Sequence, residues 1–123
     1  MDIQFYDNDQ APKPPEEVVI EQLALVPYPD GFRLYVEIQA TPFQQRPNLL
    51  LTVRAADGTV VSESSIIETM HNHMEFTMHL RGLDDPAGDY TLTVDLFYET
   101  RNPPQDRRVE SFVIPAADAD NEA

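Results

Sequence analysis

At 123 residues the chain has room for one hydrophobic core and little more. Its 22 acidic and 8 basic residues give a formal net charge of −14, a field that repels phosphate backbones and anionic lipid and so argues against nucleic acid or a membrane surface as partner. The absence of cysteine excludes disulfides, thiol nucleophiles and thiolate metal sites, and 11 prolines favour short segments joined by turns over long helices.

In chain order, residues 1–16 read as an acidic, proline-rich arm that ends in Ala11-Pro12-Lys13-Pro14-Pro15, a stiff polyproline-type spacer. The opening residues carry no basic region followed by an apolar run, and no stretch is long enough to cross a membrane, so a cytoplasmic location is expected. The core is expected over 17–115. Its period is two rather than 3.6. An apolar run at Val18 to Val26 comes first. Phe32, Leu34, Val36 and Ile38 then alternate with Arg33, Tyr35, Glu37 and Gln39. Runs at Leu49 to Ala55 and Thr59 to Ile67 follow, separated by Asp57-Gly58, a two-residue hairpin signal. Met74, Phe76, Met78 and Leu80 alternate with His73, Glu75, Thr77, His79 and Arg81; Tyr90, Leu92, Val94 and Leu96 alternate with Thr91, Thr93 and Asp95; Val109 to Ile114 closes the series. Pro29-Asp30-Gly31 is a further turn. Residues 116–123 form an acidic tail with nothing to bury and are expected to be disordered. The expectation is an all-β, seven-stranded antiparallel immunoglobulin-like sandwich with flexible termini.

Gly82-Leu83-Asp84-Asp85-Pro86-Ala87-Gly88-Asp89-Tyr90, followed by Thr91-Leu92-Thr93-Val94, resembles the turn into the sixth strand of fibronectin type III and other immunoglobulin-like domains. The resemblance implies that Tyr90 pins this corner, its hydroxyl bonding back to the preceding turn. The turn is one residue longer than the usual fibronectin form, and the chain has no tryptophan to fill the core position of that family. The rhythm is also similar to the copper-carrying CopC-like sandwiches, but their N-terminal histidine and Asp-x-His have no match here, and no copper site is carried over. Either resemblance implies a fold and leaves the function open.

Among residues with site chemistry, His71 and His73 stand out. If the strand begins at His71 the two imidazoles lie ~7 Å apart on one face, within reach of a single zinc or copper ion, whereas His79 is ~20 Å further along. A third ligand would be Glu75 or a loop residue. Asp30, Asp57, Asp84, Asp85 and Asp89 suit calcium by atom type, but no Asp-x-Asp-x-Asp-Gly loop is present, and aspartate is also a good turn residue. Ser62, Ser64, Ser65 and Ser111 have neither a nucleophile-elbow nor a Ser-x-x-Lys context, and no glycine-rich loop could cradle phosphate. The expectation is therefore no enzyme and no cofactor.

With the usual antiparallel path, the connections 41–48, 68–72 and 100–106 share one end. That tip collects Phe43, Arg46, His71, Arg101, Pro103 and Pro104, with Arg107 and Arg108 beginning the last strand, while the aspartates gather at the other end. The reading is a non-enzymatic module that binds a protein of unknown identity through Phe43, Arg46, His71, Arg101, Pro103 and Arg107. The alternative is a small metal- or ligand-carrying sandwich using His71 and His73. The acidic arm, with Ile3, Phe5 and Tyr6, is expected to emerge beside the tip and fold back on it.

Overall fold

Alternating side chains can bury one face of a strand only against a second layer, and the chain meets this with two antiparallel sheets. The computed structural model describes residues 11–116. The expected docking of Ile3, Phe5 and Tyr6 and, beyond Ala116, the expected disordered tail 116–123 lie outside the described residues. Strands β1 (Ile20–Pro27), β2 (Arg33–Ala40) and β5 (His73–His79) form a three-stranded sheet in the order β1-β2-β5. Strands β3 (Asn48–Ala55), β4 (Val60–Ile66), β6 (Gly88–Phe97) and β7 (Asp106–Ile114) form the other, in the order β4-β3-β6-β7. A 3₁₀ turn at Pro15–Glu17 precedes β1. No helix among the described residues is long and apolar enough to cross a membrane.

The core is the set of inward positions. Leu34, Val36 and Ile38 of one sheet lie fully buried with Leu49, Leu51, Val53, Leu92, Val94 and Leu96 of the other. Burying a side chain of this size is worth about 1.5–3 kcal/mol, so this layer dominates the stability. The first strand departs from simple alternation. Val18 and Ile20 are buried, but the next inward residues are Leu23 and Leu25, a change of phase. A bulge supplies it: the register advances from Ile20↔Ala40 to Gln22↔Gln39, so one extra residue is absorbed without losing the apolar face.

Three connections lie at the acidic end, β1–β2, β3–β4 and β5–β6. The β3–β4 hairpin is longer than the two-residue loop expected from Asp57-Gly58. The Ala55 N–H donates to the Thr59 carbonyl and the Gly58 N–H to the Ala55 carbonyl, so Ala56, Asp57 and Gly58 form a three-residue loop with Gly58 at φ 92. Gly31, at φ 78, is enclosed as well as left-handed, since a Cβ there would lie 2.8 Å from Pro86 Cγ. Glycine thus lets the β1–β2 turn press against the corner before β6.

At that corner the Tyr90 hydroxyl donates to the Pro86 carbonyl at 2.6 Å, and its ring stacks on Phe112 with centroids 5.4 Å apart. Burial, and secondarily the nearby Asp85 carboxylate, push the phenol above its ordinary value. Tyr90→Phe keeps the stacking and orphans the Pro86 carbonyl. It should lower the unfolding free energy by about 1 kcal/mol, read from chemical denaturation with an unchanged m-value.

Candidate functional site

Three connections meet at one end of the sandwich: β2–β3, β4–β5 and β6–β7. Asn48 ties them together. Its amide donates to the Tyr98 carbonyl and its Oδ1 accepts the Glu68 N–H, both at 2.8 Å, and Glu68 sits at φ 50, a conformation unusual for a side-chain-bearing residue. The Tyr98 hydroxyl closes the ring by donating to the Gln45 carbonyl at 3.1 Å, and burial pushes that phenol upward too. Thr69 N–H donates to the Pro47 carbonyl, and Asn72 and Ala40 exchange hydrogen bonds across the β4–β5 and β2 segments.

The segment before β1 belongs to this end. Between Pro12 and Pro14, Lys13 alone can offer a backbone N–H. It donates to the Pro42 carbonyl at 2.9 Å, and its own carbonyl accepts the Gln44 N–H, an isolated parallel bridge to Phe43. Thr41 Oγ1 accepts the Val19 N–H, Asp106 accepts the Ile20 N–H at 2.7 Å, and Arg108 donates to the Ile20 carbonyl. Within Ala11–Pro15, read as a stiff spacer in the sequence, Pro12 and Lys13 are therefore hydrogen-bonded to the β2–β3 connection.

Of the candidate tip residues, Arg46, His71, Arg101 and Pro103 are exposed there, and Phe43 is half-buried against the core. Pro103 lines a groove of about 510 Å³ together with Pro15, Tyr98 and Pro104 and the carboxylate-bearing Glu16 and Glu99. Arg107 is different. Its guanidinium grips Asp95 with Nε at 2.6 Å and Nη2 at 3.2 Å, on the outer face of the four-stranded sheet, and this pairing raises the Arg107 pKa. Asp95 is only 7% exposed, so Arg107 is committed to neutralising it. The pairing follows from register, since Asp95 and Arg107 are direct cross-strand partners.

Sequence reasoning missed two tip residues. Ile67 and Met70, at 70% and 67% exposure, are large apolar side chains left in solvent by the β4–β5 connection. Ile67 reads as the end of an apolar strand, but β4 stops at Ile66; Met70 has no local pattern to mark it.

The histidine pair is also revised. Strand β5 begins at His73, which leaves His71 in the connection and removes the premise for a shared face. His73 instead meets Glu37 and Glu75: its Nε2 lies 2.6 Å from Glu37 Oε2 and 3.7 Å from Glu75 Oε2. At the far end the aspartates serve the turns. Asp30, Asp57 and Asp85 each accept the N–H two residues on, from Phe32, Thr59 and Ala87.

No protein-family model matches the chain, and no curated protein matches it by sequence. Solved structures match its fold. A β-glucuronidase of Bifidobacterium dentium, complexed with coumarin-3-O-glucuronide, aligns at TM-score 0.53 with 17% identity over 79% of this chain and 18% of its own. A glycosyl hydrolase family 2 member of Bacteroides cellulosilyticus gives TM-score 0.51, 12% identity, 79% and 15%. The Ruminococcus gnavus β-glucuronidase with uronic deoxynojirimycin gives 0.50, 15%, 80% and 16%. The chain thus spans less than a fifth of each, and the likeness is one of β-sandwich architecture.

Asn48→Ala should unlock the tip, costing about 1–2 kcal/mol for two lost hydrogen bonds. Amide exchange should accelerate at Glu68 and around Tyr98, while the β2 and β6 cores stay protected. A second measurement addresses the turn aspartates. The Phe32 N–H lowers the Asp30 carboxyl below its ordinary 3.8, and the Thr59 N–H does the same for Asp57. Their contribution is complete above pH 4 or so and lost as pH falls through the depressed native values. Asp30→Asn with Asp57→Asn should therefore flatten the fall of Tm on acidification below about pH 4.

Proposed function

We propose that the chain is a fibronectin type III-like β-sandwich acting as a non-catalytic binding module, with 17–115 as the module and a protein as its partner. The finer fold assignment rests on strand order. The fourth strand pairs with the third rather than joining the fifth, giving three- and four-stranded sheets, and Tyr90 sits at the corner entering the sixth strand. The sandwich likeness to stretches of larger chains supports the module reading and carries no glycosidase activity to this chain.

The observation that carries the binding role is the exposure of Ile67 and Met70 on the end that also presents Arg46 and Arg101. Apolar groups and guanidiniums, interspersed here with Glu68 and Glu99, are the composition of a protein contact. The groove beside Pro103 and Tyr98 offers a place for a partner side chain. Asn48 and Lys13 hold the connections in place, so the surface is organised before binding. An acidic partner surface suits Arg46 and Arg101, with the apolar contact supplying most of the affinity.

The test compares partner capture by the wild-type chain and by two folded variants, Met70→Asp and the double change Arg46→Glu with Arg101→Glu. Met70→Asp should weaken binding by 10-fold or more, about 1.4 kcal/mol or above, chiefly through faster dissociation. The double arginine variant should slow association and lose salt sensitivity. A partner held equally by all three chains excludes the tip.

A further inference from the structure

We infer that the outer face of the three-stranded sheet holds a binding site for a zinc-class divalent metal ion, built from Glu37, His73 and Glu75. It is separate from the tip and does not depend on the function proposed for it.

Glu37 on β2 and Glu75 on β5 are direct cross-strand partners. Two carboxylates placed opposite one another on neighbouring strands repel, an arrangement that sheets ordinarily avoid and that a cation between them relieves. The imidazole of His73 comes from the next row, opposite Gln39, and is aimed at both carboxylates. One donor atom from each residue falls within 4.8 Å of the others. Three ligands around a tetrahedral zinc at about 2.0–2.2 Å stand roughly 3.3–3.6 Å apart. The separations of 2.6 and 3.7 Å from His73 Nε2 bracket that range, and all three donors lie within 4.8 Å of one another on exposed side chains free to adjust.

The surroundings favour entry and orientation. Ala24 is the partner of Glu37 on the β1 side, so no bulky group overhangs the carboxylate from that direction. Tyr35 reaches the other Glu37 oxygen, its hydroxyl donating to Oε1 at 3.5 Å, which leaves Oε2 for the ion. The three side chains are 38–55% exposed, so water can fill the remaining positions. Donor type sets the metal class. One imidazole with two carboxylates suits zinc and its borderline neighbours, whereas magnesium prefers oxygen to imidazole and calcium takes more protein oxygens than the site offers. Three protein donors also leave the ion open to a further ligand, unlike a closed structural centre.

The experiment is a zinc titration of the full chain at neutral pH, followed by calorimetry and histidine ring resonances, with Tm as a parallel reading. Saturable 1:1 binding is expected, with the His73 ring shifting and Tm rising. His73→Ala, Glu37→Gln and Glu75→Gln should each weaken binding by about 10-fold or more, and His71→Ala should leave it unchanged. Because all three side chains are exposed, the variants should remain folded, checked by unaltered β circular dichroism. No saturable binding at millimolar zinc, equal binding by His73→Ala, loss through His71→Ala, or an equal rise in Tm with magnesium would each overturn the assignment.

Discussion

The structure depends on one constraint: the apolar faces of both sheets must be buried against each other in a single layer. Leu34, Val36 and Ile38 reach that layer from one side, and Leu49, Leu51, Leu92, Val94 and Leu96 from the other, each fully enclosed. Because side chains alternate along a strand, assigning these positions inward assigns every neighbour outward. Glu37 points away from the core because Val36 and Ile38 point into it. Thr93 and Asp95 are turned out for the same reason, and Asp95 then requires Arg107 beside it. The bulge in β1 shows how strong the constraint is: the backbone takes an extra residue so that Leu23 and Leu25 can return to the interior after Ile20.

The two ends of the sandwich solve the problem of connecting strands in different ways. At the acidic end the turns are local, each closed by an aspartate that accepts an N–H two residues away, and glycine is needed where the path becomes left-handed or crowded. At the tip the connections are tied to one another by side-chain and backbone hydrogen bonds between segments remote in sequence. Asn48 bridges the β4–β5 and β6–β7 connections, and Lys13 binds the chain's entry segment to the β2–β3 loop. A tip supported this way can display Ile67, Met70, Arg46 and Arg101 on a frame that resists deformation, which is what low-entropy recognition requires.

Charge separates two surfaces. At the tip Arg46 and Arg101 stand beside Glu68 and Glu99 of the same connections, so the guanidiniums act as local contacts on a chain whose net charge is −14. The three-stranded face carries Glu37 and Glu75 around His73, and there the global field works with the local one in attracting a cation. The surfaces belong to different elements, so changes at one can be made without dismantling the other.

The amino-acid sequence by itself marked the seven strands, because inward and outward residues differ in polarity at every second position from Arg33 to Gln39 and from His73 to His79, although Phe32, which the alternation turns inward, precedes β2 and is exposed. It also marked Tyr90 and the aspartate turns, whose chemistry acts within a few residues. Only the tertiary structure decided that His73 meets Glu37 rather than His71, that Arg107 is held by Asp95 instead of standing free, that Lys13 engages the Phe43 loop, and that Ile67 and Met70 remain in solvent. Each of these follows from register or from the meeting of connections, and residues 36 positions apart, such as Glu37 and His73, become neighbours only when burial of the inner faces selects which strands pair and in what alignment.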